Sequence, residues 1–229
     1  LTEAGGVLCN LQGQPLDTTQ ASGVLAANNM DNLQQLLNIV QSKRSVFAGS
    51  FPAQARVRIV GKGDELDGSA ALVLNPSAAL PRNVEIRTTA NGVLAITDAT
   101  NLKQATIVNE GLVVFEPDAE TTINLNDLVF GGSGEPNKIA LSGGGVLSVA
   151  AGTQGFELAS NPMGTLQING LVLGSVAQSV IRVPVDFTYS PTLFHVNVPN
   201  TTKKLDLLAE DGYLKVRILL SKPITILVR

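Results

Sequence analysis

A five-residue phrase recurs four times in this chain: Gly92-Val93-Leu94-Ala95-Ile96, Gly111-Leu112-Val113-Val114-Phe115, Gly145-Val146-Leu147-Ser148-Val149 and Gly164-Thr165-Leu166-Gln167-Ile168. The first and second copies, and the third and fourth, stand 19 residues apart, with 34 between the pairs. Leu128-Val129-Phe130 falls inside the longer gap, as if to fill a missing step, and Leu72-Val73-Leu74 lies one step upstream of Gly92. A short fixed period of this kind predicts a solenoid in which each coil returns one strand to the same stack. The second and fourth positions after glycine are always apolar: Leu94 and Ile96, Val113 and Phe115, Leu147 and Val149, Leu166 and Ile168. The third is mixed (Ala95, Val114, Ser148, Gln167), so two-residue alternation puts the first set inward and the second outward. The glycine is expected to make the corner before each strand.

Charge is scarce. Only 15% of the 229 residues are charged, 44% are apolar, and Asn, Thr, Ser, Gln and Gly supply much of the polar surface. A net charge of −3 with no dense Lys/Arg cluster argues against nucleic acid as a partner. No run approaches the ~20 apolar residues that a membrane helix requires. The single cysteine, Cys9, excludes an internal disulfide and reads as a small buried apolar side chain; the sharper alternative is an intermolecular bridge. The chain starts at Leu1 rather than Met, which fits either removal of a leader or a trimmed start.

Three segments follow. Residues 1–65 read as an extended N-terminal arm followed by a capping helix. In that helix Met30, Leu33, Leu36, Leu37 and Val40 share one face over residues 29–42. Asn29 is its expected N-cap, and Lys43-Arg44 suits its C-terminal end. Residues 66–175 read as the solenoid, of about five or six coils. Residues 176–229 read as an antiparallel C-terminal cap or assembly unit. There Pro184 marks an edge strand, Ala209-Glu210-Asp211-Gly212 a hairpin tip, Leu214, Val216, Ile218 and Leu220 one face, and residues 224–229 a last strand. The fold class is therefore all-β, a short parallel β-solenoid (β-helix); a two-sheet β-sandwich is the alternative.

The glycine-led strands separated by Asn, Asp and Gly turns resemble coils of right-handed parallel β-helices, over roughly residues 66–175. Such coils occur in passenger domains of bacterial autotransporters and adhesins and in phage tailspikes. The resemblance implies an extracellular protein serving as a rigid spacer or a glycan binder; some members cleave polysaccharides. Long asparagine ladders, common in those proteins, are missing here.

Candidate chemistry is thin. His195, between Phe194 and Val196, is the sole histidine, so any Ser-His-Asp or Cys-His arrangement needs it; a structural role in an alternating strand is the expectation. A closed zinc site needs four ligands that one Cys and one His cannot supply. Asp64, Glu65 and Asp67 form the densest acidic spot, read as a solvated turn, with a hard cation or paired glycosidase carboxylates as sharper alternatives. Glu110, Glu116, Asp118 and Glu120 form a second cluster that would line a groove if it stood opposite a coil strand. The glycine runs at 131–134 and 143–145 lack the Lys-Ser/Thr of a phosphate loop and read as turns. With no Trp and two Tyr, sugar-stacking platforms are poorly supplied.

These observations predict no catalytic, metal or cofactor site and no enzyme. The expected function is structural: a self-assembling subunit of a secreted filament, surface layer or virion fibre. The proposed joining segments are residues 1–9 and 224–228, each offering a strand to a neighbour. A glycan- or receptor-binding module, or a polysaccharide-cleaving one, is the alternative.

Overall fold

The computed structural model describes residues 6–10, 15–16, 24–27, 29–31, 33–34, 44–60, 71–132, 135–172, 176–188, 190–199, 201 and 203–218. The chain forms two compact units, Leu1–Ser45 and Val46–Arg229.

In the first unit, β1 (Val7–Asn10) and β2 (Val24–Ala27) make a two-stranded antiparallel ribbon, with Val7 opposite Ala27. Cys9 is buried with Leu33, and Val7 and Ala27 pack against them. The long capping helix expected over residues 29–42 is not seen. Among the described residues, only Met30, Asp31, Leu33 and Gln34 have helical backbone, and residues 35–43 lie outside them. One bond, from Leu33 N to Asn29 O (3.1 Å), closes this turn. Helices shorter than about 12–15 residues are marginal without packing, and asparagine is among the weaker helix formers because its side chain offers the backbone other partners. Arg44, expected near the helix end, instead opens β3 (Arg44–Phe47), which crosses the boundary between the units.

The second unit is a β-solenoid of about five turns built on one long sheet and two side sheets. After β3, the long sheet continues with β5 (Ala71–Leu74), β7 (Val93–Ile96), β9 (Leu112–Phe115), β12 (Asn137–Leu141), β14 (Thr153–Leu158) and β16 (Gln178–Arg182). Strands β5 to β16 run parallel. An early side sheet holds β4 (Arg56–Ile59), β6 (Glu85–Thr88), β8 (Thr106–Asn109) and β11 (Val129–Phe130), also parallel. A late side sheet holds β10 (Thr122–Asn124), β13 (Val146–Ala150), β15 (Gly164–Asn169) and β17 (Phe194–Asn197), again parallel. Parallel stacking thus takes in strands upstream of residue 66 and beyond residue 175.

The chain changes wall halfway along. Coils before β9 alternate between the long sheet and the early side sheet; coils after β12 alternate between the long sheet and the late one. Between them a single three-walled coil runs β9, β10, a 3-10 turn at Leu125–Asp127, β11 and β12. The recurring phrase therefore does not mark one stack. Its first two copies open β7 and β9 in the long sheet, and its last two open β13 and β15 in the late side sheet. The 34-residue gap is a change of wall rather than two steps, and Val129–Phe130 pairs with β8 in the early side sheet.

The inward positions are as the alternation predicts. Leu94, Val113, Ile139 and Leu158 stack in register across the long sheet, and Ile123, Leu147 and Leu166 across the late one, all essentially without solvent contact. Each such side chain contributes about 1.5–3 kcal/mol by burial. The outward prediction fails in part: Ala95, Val114 and Ser148 are buried, and Val93, Ala95, Leu112 and Val114 form a second apolar strip with Ala71.

Strand β16 lies inside the long sheet, between β14 and β19 (Tyr213–Ile218), so the edge position read from Pro184 is wrong. Pro184 falls beyond the strand's last residue and accepts the Phe187 N–H in a turn, so no ladder bond is lost. The hairpin of β18 (Leu205–Glu210) and β19 forms as expected and adds antiparallel to β16. Its tip residues Asp211 and Gly212 both have positive φ (53° and 72°), as a two-residue hairpin turn needs. Leu214, Val216 and Ile218 are buried on one face; Leu220 and residues 224–229 lie outside the described residues.

Candidate functional site

Among the described residues the early side sheet stops at β11, and a cleft of about 390 Å³ opens between the corner after β8 and the strands β12 and β14. Asn109, Glu110 and Gly111 line it from the corner between β8 and β9; Glu135, Pro136 and Lys138 line it from the start of β12, and Glu157 from β14.

Asn109 belongs to a polar ladder. Ile59, Thr88 and Asn109 occupy equivalent inward positions of β4, β6 and β8, so an apolar column turns polar as it nears the corner. The Thr88 hydroxyl donates to Asn109 Oδ1 (2.7 Å) and accepts from the backbone N–H groups of Glu110 (3.0 Å) and Gly111 (3.1 Å). Asn109 Oδ1 also accepts from Gly111 N (3.2 Å), and its Nδ2 donates to Lys138 O (3.0 Å). These groups satisfy corner backbone that would otherwise be buried unpaired. Asn137 continues the polar run: Nδ2 donates to Gly155 O (3.2 Å), while its buried Oδ1 has no partner among the described residues.

Three carboxylates, Glu110, Glu135 and Glu157, and one ammonium, Lys138, line the cleft. Glu110 is engaged by Arg87 Nη1 (2.6 Å), and Arg87 Nε also meets Glu85 (3.2 Å). These two carboxylates, Glu85 first, hold the guanidinium pKa above its ordinary value. Across the long sheet Lys138 pairs in register with Glu157, and Glu157 with Arg182. Arg182 donates to the Tyr213 hydroxyl (3.3 Å) and lies 5.7 Å from its ring centre. That hydroxyl is the main cause raising the Arg182 pKa, with smaller contributions from Glu157 and Glu135. The outer face of the long sheet is thus apolar along its first strands and carries alternating charge along its later ones. A cleft of this character presents acceptors to a cationic or donor group.

The sequence candidates separate. Glu110 enters the cleft, whereas Glu116, Asp118 and Glu120 lie on the loop between β9 and β10. Glu135 and Glu157 join Glu110 instead; neither was legible, since only coil register brings them there. Asp64, Glu65 and Asp67 lie outside the described residues. His195 is exposed on β17 of the late side sheet, and Cys9 is buried in the first unit. Among the described residues no group of three His, Cys, Asp or Glu side chains is placed to hold a metal ion, and no helix is long and apolar enough to cross a membrane.

A second surface emerges on the late side sheet. None of its four strands contains Asp, Glu, Lys or Arg. Its outward side chains fall in register as Thr122, Val146, Thr165 and His195, then as Asn124, Ser148, Gln167 and Asn197. Asn169 Nδ2 donates to Ser148 Oγ (2.7 Å) and Asn197 Nδ2 to Gln167 Oε1 (3.3 Å). A short mixed amide ladder therefore exists although no repeated asparagine announces it.

No family model, no curated protein and no solved structure matches this chain.

Proposed function

We propose that the protein is a non-enzymatic structural subunit that assembles with copies of itself outside the cell, in a filament, surface layer or fibre. One observation carries this reading: among the described residues, β1 and β2 pair with each other and with no further strand. A two-stranded ribbon is marginally stable in water and keeps a free backbone edge on each strand. Its described apolar support is small, Cys9 and Leu33 against Val7 and Ala27. Strand addition by a second copy supplies both the missing hydrogen bonds and the missing burial. Val7–Asn10 is thus half of a ribbon rather than a free arm, and the ribbon edge is the joining element. The other end differs. Among the described residues β18 is the last strand of the long sheet, with Asp206 and Glu210 along it and Arg217 bonded to Asp206, and charge on an edge opposes further pairing.

The test is light scattering and negative-stain microscopy over a concentration series, with the full chain beside one lacking residues 1–43, which leaves β3 whole. The full chain is expected to form higher-order particles that the shortened chain does not, while the shortened chain keeps its β circular-dichroism spectrum. A full chain that stays monomeric, or a shortened chain that assembles equally well, refutes the proposal.

A further inference from the structure

We infer that the outer face of the late side sheet is a binding surface for a neutral polysaccharide. This gives the glycan-binding alternative a location and a ligand class, and it stands apart from the assembly reading because it uses only solenoid residues. The charged strand residues of the other walls stop here: the long sheet carries Lys138, Glu157 and Arg182 among others, the early side sheet Arg56, Arg58, Glu85 and Arg87, and β10, β13, β15 and β17 carry none. What remains is uncharged hydrogen-bonding chemistry repeated at the strand spacing of about 4.8 Å.

Each amide there has two donor hydrogens and a two-lone-pair oxygen, and the internal ladder uses only part of that capacity. Gln167 accepts through Oε1 and keeps Nε2; Asn197 donates through Nδ2 and keeps Oδ1; Asn169 donates through Nδ2 and keeps Oδ1. His195 and Asn197 are exposed, and Gln167 and Asn169 are partly so. The bonds within the ladder fix which atoms face outward, so little ordering is left for a ligand to cause. A row of fixed donors and acceptors without charge suits a chain of hydroxyls. Asp127, bonded to Asn124 and to Lys103, brings charge only to the β10 edge of the wall; along β13, β15 and β17 the strands offer a polyanion no cation and a cationic peptide no carboxylate.

The experiment is native affinity electrophoresis of the full chain in gels cast with dextran, mannan or xyloglucan, beside gels cast with polygalacturonate. At least one neutral polymer is expected to retard the protein, with no loss of retardation at high salt. The double variant Gln167→Ala/Asn197→Ala is expected to bind roughly tenfold more weakly or less. Arg56→Ala/Arg58→Ala, on the early side sheet, is expected to bind like the parent. Thermal melts of both variants matching the parent establish that any loss is not unfolding. If the first variant melts early, Gln167→Glu, which adds charge at the same size, replaces it and is expected to lose retardation. No retardation by any neutral polymer, retardation by polygalacturonate alone, or undiminished binding by a folded ladder variant overturns the inference.

Discussion

Replacing Gly111 by alanine probes the stacking of coil corners most directly. A Cβ at Gly111 would stand 2.2 Å from Gly92 O and 2.5 Å from Thr89 O, where real Cβ contacts essentially never come under 3.0 Å. Both obstacles are backbone of the preceding corner and cannot rotate away. Gly92 O accepts from Leu112 N at 3.0 Å, so separating the corners stretches the bond that begins β9. Overpacking of this kind costs about 1–3 kcal/mol, and a weakened backbone bond about 0.5–1.5 kcal/mol. The stiffer unfolded chain returns about 0.4–1 kcal/mol. The net expectation is a loss of about 0.5–4 kcal/mol, centred near 2, and at that centre a fall in Tm of about 4–8 °C for a unit of this size. Gly155→Ala is the control, because a Cβ there meets nothing within 4 Å; its effect should stay within about 0.5 kcal/mol. Thermal unfolding by circular dichroism reads both. Equal melting of the two variants would refute the argument that glycine is required at Gly111 by close approach.

Thr88→Val removes the oxygen that accepts from Glu110 N and Gly111 N, and should destabilise by about 1–3 kcal/mol and speed hydrogen exchange at those two amides. Thr88→Ser should restore most of both; exchange rates unchanged in the valine variant would show that the ladder is dispensable. Asp98 accepts from the Thr100 hydroxyl (2.6 Å) and then from its backbone N–H (2.8 Å), which hold its carboxyl below the ordinary 3.8. That stabilisation is present above 3.8 and disappears as the pH falls through the lower folded value. Asp98→Asn should therefore flatten the loss of stability below pH 3.8, measured by urea unfolding, and leave the slope at neutral pH unchanged.

Inward alternation and the Asp211-Gly212 tip were legible because each is local: one needs a period of two, the other two residues able to take positive φ. The assignment of strands to walls was not. The phrase at Gly92 and the phrase at Gly145 obey the same rule, a corner that admits no Cβ and then buried apolar side chains at the second and fourth positions, whichever sheet follows. At Gly145 the obstacles are Asp118 O and Thr121 O, just as Gly111 meets its own preceding corner. Only Gly164 adds a positive φ (116°), so close approach rather than turn geometry is the common cause. The cleft was hidden for the same reason. Glu110, Glu135 and Glu157 are distant in sequence, and nothing local records that β11 is the last strand of its wall. The ladder of Asn124, Ser148, Gln167 and Asn197 mixes four side-chain contexts, so no repeat exposes it before register is known.

The three-walled coil has a consequence for how the chain can change length. Coils on either side contact mainly their neighbours, as in any solenoid, so stability adds up locally along the axis. A duplicated coil inserted before β9 would meet matching walls above and below, and so would one inserted after β12. The span from Leu112 to Leu141 admits no such duplication, because its two faces fit different neighbours. It acts as a splice between two ladders, a stretch whose length is fixed by what lies on both sides.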